Sequence, residues 1–160
     1  MNMDAFVEYA KERFPNRNIN IHLAIFIEPY LHLTLYGIKQ FESRFSAKKI
    51  APYGKVSAQD VIFLKKSGGS IVGECRVESV WFYDLNLTSL TDIRHLYQDK
   101  LRIQNDAFWM EKKESKYATI VKIADSTRIE PIRLLKRDRR GWVVLVDKND
   151  ARKKHKLTTD

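Results

Sequence analysis

Runs of alternating apolar and polar residues recur along this chain, with too few helical stretches between them to pair off one for one. From Asn18 to Ile27, the residues Ile19, Ile21, Leu23 and Ile25 alternate with Asn20, His22 and Ala24, the period-two signature of a half-buried strand. Lys39 to Phe45 alternates as well, with Phe41 and Phe45 on one face and Gln40, Glu42 and Arg44 off it. Asp60–Lys66 and Ser70–Val80 flank Ser67, Gly68 and Gly69 and read as a hairpin, and 117–123, 128–134 and 141–146 are strand-like. Helical spacing is confined to three stretches. Asp4–Arg13 carries Phe6, Tyr9 and Ala10 and is stopped by Pro15; a buried helix runs from Glu28 and Pro29 to a Gly37 cap; Ser89–Leu101 has Leu90, Ile93, Tyr97 and Leu101 on one stripe. A doubly wound parallel sheet needs a helix after nearly every strand. The pattern instead predicts an α+β domain: a mixed β-barrel or half-barrel of about six strands with three or four flanking helices.

At 160 residues and 44% hydrophobic content the chain can build one core. Cys75 is the single cysteine, so no internal disulfide forms, and the N-terminus has no apolar leader; a cytoplasmic protein is expected. No apolar run approaches the roughly 18 residues of a membrane span. The formal charge is +9, and the charged, disorder-like tail 147–160 does not supply most of it, since 24 basic and 17 acidic residues remain in 1–146. Such a body attracts phosphates, which favours RNA, a nucleotide or a nucleoside as partner; oligomeric state is not legible.

The densest chemistry lies in Gly37, Ile38, Lys39, Gln40, Phe41, Glu42, Ser43 and Arg44. Strand parity puts Glu42 and Arg44 on one face, able to pair, with Lys39 at the strand start. This GxKxxExR segment, behind a helix that opens with Glu28, Pro29 and Tyr30, resembles the N-terminal signature of ASCH domains, relatives of the PUA-like folds. The resemblance extends to Lys65 and Lys66 followed by Ile71, Val72, Gly73 and Glu74, to Tyr117, and to Ile129 through Ile132. It covers 27–146 and sets 1–26 apart as an extension. It implies a β-barrel with a cleft for RNA near the segment and, in some relatives, hydrolysis. Some relatives remove the acetyl group of N4-acetylcytidine with a lysine, a threonine three residues later and a glutamate further on. Lys39 matches that lysine; Glu42 stands in the threonine's place, and no motif locates the glutamate. Other relatives cleave RNA, which suits the charge of this chain.

Lys39 acts as a base only if its pKa is lowered. Arg44 works in that direction and Glu42 against it, which leaves an ionic cluster, an anion anchor and acid–base catalysis by Lys39 and Glu42 all open. The candidate ligand-binding residues are Tyr30, Lys39, Glu42, Arg44, Arg139 and Arg140. The two arginines belong to a basic run leading into Trp142, which either stacks a base beside them or packs in the core of the last strand. Trp81, Phe82, Tyr83, Phe108 and Trp109 read mostly as core, with a pocket mouth as the alternative.

No cofactor is expected, and no metal, because the four histidines have no ligand spacing. Ser67 to Ser70 lacks the lysine of a P-loop, and Cys75 reads as a packing residue. Three functions stay open: an RNA or modified-nucleoside binder, a hydrolase of RNA or of an acylated nucleoside, and a module for an acidic protein partner.

Overall fold

The computed structural model describes residues 1–150. The elements, in chain order, are α1 (Met3–Arg13), β1 (Ile21–Phe26), α2 (Tyr30–Leu35), β2 (Phe41–Ser46), β3 (Val61–Lys66), β4 (Ile71–Asp84), α3 (Leu90–Tyr97), α4 (Asp106–Glu111), β5 (Tyr117–Ile132) and β6 (Trp142–Val146). The strands form one mixed sheet of six in the order β2-β5-β4-β3-β1-β6. Only the β1–β3 pair is parallel; the other neighbours are antiparallel. The sheet curls into a half-barrel, as the strand count and the sparse helices predict.

Three apolar clusters cover its surfaces. Ala24, Phe26, Ile62, Leu64, Cys75, Val121, Ile123 and Trp142 fill one face together with Leu31 of α2. Ile21, Leu23, Phe63 and Val143 face the opposite way, under Phe6 and Ala10 of α1. Ile120, Phe41 and Phe45 pack beneath α3 and α4, against Ile93, Tyr97 and Trp109. Helix α1 is capped by Asn2, whose side chain accepts from Ala5 N at 2.8 Å, and Arg13 pins its far end to Glu74 through two bonds of 2.7 and 2.6 Å.

Several sequence expectations change in the structure. β1 is buried on both faces, because α1 covers one and the cluster under Leu31 of α2 fills the other; its alternation marks two interior sides instead of core and solvent. It lies between β3 and β6 in the same sheet as the strands of 27–146. The two strand-like runs 117–123 and 128–134 merge into the single long β5, which bends past β4 through three register shifts. Helix α4 has no counterpart in the periodicity analysis. Of the tail expected to be disordered, Lys148 is held by a 2.9 Å bond from its N to Asn20 Oδ1, and 151–160 lie outside the described residues.

Candidate functional site

The helix–strand transition that carries the GxKxxExR segment is built by the end of α2. Gly37 adopts φ +72°, Gly37 N donates to Thr34 O at 3.1 Å, and Ile38 N reaches back to Leu33 O at 2.9 Å. This is a Schellman closure, which only a residue tolerant of the left-handed region makes without strain. It turns the chain so that Lys39 enters the sheet edge immediately ahead of β2.

Lys39 is 3% exposed. Its Nζ donates to Phe41 O, lies 3.6 Å from Glu42 Oε1 and sits 5.7 Å from the centre of the Tyr30 ring. Burial pushes the Lys39 amine below its ordinary value; the Glu42 carboxylate pulls it back, and Arg44 pushes it down further. Burial prevails. Glu42 in turn accepts from Ser43 N at 2.8 Å and lies 3.7 Å from Arg44 Nη2.

Arg44 has a different task. Its Nη2 donates to Ile25 O at 2.7 Å and its Nη1 to Gly141 O at 3.1 Å, while the guanidinium lies over Phe26 and Trp142 at 5.3 and 5.4 Å. β2 is one edge of the sheet, and Gly141 leads into the other, β6. Arg44 therefore clasps the half-barrel shut. Two fixed carbonyl partners and two aromatic faces suit a guanidinium far better than an ammonium.

Tyr30, Lys39, Glu42 and Arg44 line one cleft of about 280 Å³. Its other walls are Ile25 and Phe26 from β1 with Ile27 just past it, Leu101 and Ile103 from the loop after α3, and Phe108, Glu111 and Lys112 from α4 and its end. The floor is ionic and the walls are apolar, the makeup of a small-ligand site. Glu111 and Lys112 were not singled out by sequence pattern. A signal existed, since Asn105 is an N-cap accepting from Phe108 N at 3.1 Å, and a cap residue ahead of an aromatic pair announces a short helix.

Arg139 and Arg140 are exposed and do not line the cleft; Arg140 pairs with Asp138 at 3.1 Å. Trp142 is buried, and its Nε1 donates to His22 Nδ1 at 3.0 Å. Of the two readings of Trp142, the core one holds, so the arginines have no exposed indole beside them. Trp109 is core, and Phe108 reaches the cleft wall. Cys75 is buried, and burial pushes its thiol far up, which makes it inert. Among the described residues no cluster of His, Cys, Asp and Glu is placed to hold a metal, and no helix is long and apolar enough to cross a membrane.

The curled mixed sheet with its flanking helices has the ASCH fold. The chain is similar to the crystal structure of ASCH from Zymomonas mobilis, with 15% identity, 89% of this chain and 96% of that one covered, and a TM-score of 0.61. Two single-residue variants of the Zymomonas mobilis protein match alike. One has 16% identity, TM-score 0.60 and coverage of 86% and 95%; the other has 14%, 0.58, and 84% and 96%. At such identities the likeness is one of fold. No family model and no curated protein matches the sequence.

Proposed function

We propose that the cleft binds a nucleotide of single-stranded RNA or a free modified nucleoside. The observation that carries this reading is Lys39, a buried amine at the floor of a small, mostly apolar cleft. One of its N–H groups is committed to Phe41 O, and Glu42 at 3.6 Å balances its charge without a full hydrogen bond. A donor is left for a ligand oxygen. Tyr30 and Phe108 bring aromatic side chains beside a base, and Leu101 and Ile103 exclude water around it. A space of about 280 Å³ suits one flipped-out base or nucleoside and excludes a duplex. The net positive body draws the polyanion in.

The test is a titration of short single-stranded RNA, and of nucleosides including N4-acetylcytidine, against wild type and Lys39→Ala at two salt concentrations. Salt-sensitive RNA binding that the variant loses supports the reading. Equal binding by both proteins removes it. Binding with shallow salt dependence, confined to acidic proteins, would point to the partner-module alternative.

A second reading, hydrolysis in the same cleft, is favoured by the lowered pKa of Lys39 beside a carboxylate. In this reading Lys39 takes the proton of the attacking water or hydroxyl, Glu42 tunes it, and Glu111 at the rim is the downstream carboxylate. Assaying the bound RNA for cleavage and N4-acetylcytidine for deacetylation decides it; ligand recovered intact leaves a binder.

A further inference from the structure

The pairing that places Glu42 opposite Val121 and Arg44 opposite Thr119 runs on without a register shift to Ser46 opposite Tyr117. On the far side of β5, Phe82 pairs with Thr119 and Asp84 with Tyr117. Directly paired residues point to the same face of a sheet, so Arg44, Thr119 and Phe82 form one row and Ser46, Tyr117 and Asp84 the next. Tyr53, from the loop after β2, completes a cluster there, with ring centres 5.5 Å from Phe82 and 4.8 Å from Tyr117. The cluster is not sealed. Phe82 is 38% exposed and neighbouring Ile50 58%. Lys49 Nζ rests 5.6 Å over the Tyr117 ring.

The charges around these rings have one sign in excess. Lys48 and Lys49 flank the rings along the chain, and neither takes part in an ion pair among the described residues. Asp84, the nearby carboxylate, is engaged by Asn86 N at 2.9 Å. The platform also connects to the cleft through the chain itself. Lys112 lines the cleft, the turn after it ends at Lys116, and Lys116 N donates to Ser46 O at 2.9 Å.

We propose that Tyr53, Phe82 and Tyr117 form a second subsite, which stacks the base adjacent to the one held in the cleft, with Lys49 neutralising the phosphate between them. Exposed aromatic faces beside unpaired lysines are what a single strand binds, by stacking and backbone neutralisation. The inference rests on the RNA reading of the cleft and narrows it: the ligand is a single strand of at least two nucleotides, not a free nucleoside.

The experiment compares a mononucleotide, a dinucleotide and an octanucleotide of single-stranded RNA, with duplex RNA as a further probe. The proteins are wild type, Phe82→Ala, Phe82→Trp, Lys49→Glu and Lys39→Ala. The expected result is tighter binding of the longer strands by wild type and loss of that gain, about tenfold or more, in Phe82→Ala and in Lys49→Glu. Phe82→Trp retains the gain, and mononucleotide binding is unchanged in all three. The inference is overturned if affinity does not rise with length, if both platform variants bind the octanucleotide as wild type does, or if duplex binds as tightly as single strand. Failure of the cleft reading gives a separate signature: Lys39→Ala then binds every ligand, the mononucleotide included, as wild type does.

Discussion

Two polar clusters are buried in this half-barrel, and they differ in how completely their hydrogen bonds are made. Near the β1–β3 pair, Asp60 Oδ1 accepts from Asn20 N at 2.9 Å, while Oδ2 accepts from Asn20 Nδ2, His22 Nε2 and Ser57 N at 3.0, 2.9 and 2.8 Å. Trp142 Nε1 can only donate, so His22 Nδ1 must accept, and the ring is neutral with its proton on Nε2. Asn20 spends its remaining groups on Lys55 O and Lys148 N. Around Lys39 the accounting does not close: one firm hydrogen bond, a loose ion pair, and open space beyond. Burial of polar groups therefore does not mark function by itself. The first cluster ties β1, β3, β6 and the 55–60 loop together; the second is less completely bonded and borders the cleft.

The sharpest way to break this contrast is Asp60→Ala. It strands the His22 and Asn20 donors in a dry interior and is expected to cost about 3–5 kcal/mol in denaturant unfolding. The same cluster has an acid limit. Burial pushes the Asp60 carboxyl up, but the bonds from His22, Ser57 and Asn20 more than reverse this and leave it below its ordinary value. A depressed carboxyl contributes stability that is fully present above its unfolded pKa, near 4, and is lost as pH falls through the folded one. Unfolding midpoints measured downward from neutral pH should show that loss in wild type and not in Asp60→Ala. An Asp60→Ala protein as stable as wild type would dissolve the distinction between the clusters.

Next in size is Arg44→Ala. Although Arg44 shares the cleft with Lys39, its bond to Gly141 O joins opposite edges of the sheet, and its bond to Ile25 O reaches β1, the strand next to the far edge. Removing it should cost about 2–4 kcal/mol, with Arg44→Lys recovering only part. Loss of ligand binding in Arg44→Ala would then report an opened half-barrel as well as a missing cation, so Lys39 is the cleaner probe of the site.

How much of this was readable in the sequence follows from the range of the contacts. Tyr30, Lys39, Glu42 and Arg44 could be grouped in advance because a helix cap and strand parity act over a few residues. The clasp could not, since it joins residue 44 to residue 141 and depends on how far the sheet curls. Alternation in β1 showed two faces but not that both are covered, so His22 looked like solvent polarity instead of the partner of Asp60 and Trp142. Ile103 and Glu111 enter the cleft from a loop and a six-residue helix too short for periodicity to register, and Leu101, which the stripe of 89–101 put on a helix, lies in the turn beyond Tyr97, where α3 ends.

Lys39→Met sharpens the comparison from the other side. Replacing a buried, incompletely bonded charge with an apolar chain of similar length should change stability by no more than about 1 kcal/mol, in either direction, and leave Glu42 to Arg44. RNA binding should nevertheless fall about tenfold or more, the worth of a hydrogen bond from a charged donor. The alkaline pH range separates the two roles. The folded pKa of Lys39 lies below its unfolded value, so between the two the unfolded chain binds more protons and stability rises with pH. That rise should shrink in Lys39→Met, while the acid-side loss due to Asp60 is untouched.

The smallest effects belong to Arg139 and Arg140, which the charge pattern placed among the ligand-binding residues. Arg140 is exposed and paired with Asp138, and a solvent-screened pair of this kind holds little folding energy. Replacing both arginines with alanine should leave stability within about 0.5 kcal/mol. If they touch the phosphates of a bound strand, each loss should lower the slope of log affinity against log salt by about one and weaken binding alike for all sequences. With no indole exposed beside them, they have no means of selecting a base. A change in base preference on their removal would therefore put the recognition surface on the 136–140 loop and count against a cleft centred on Lys39.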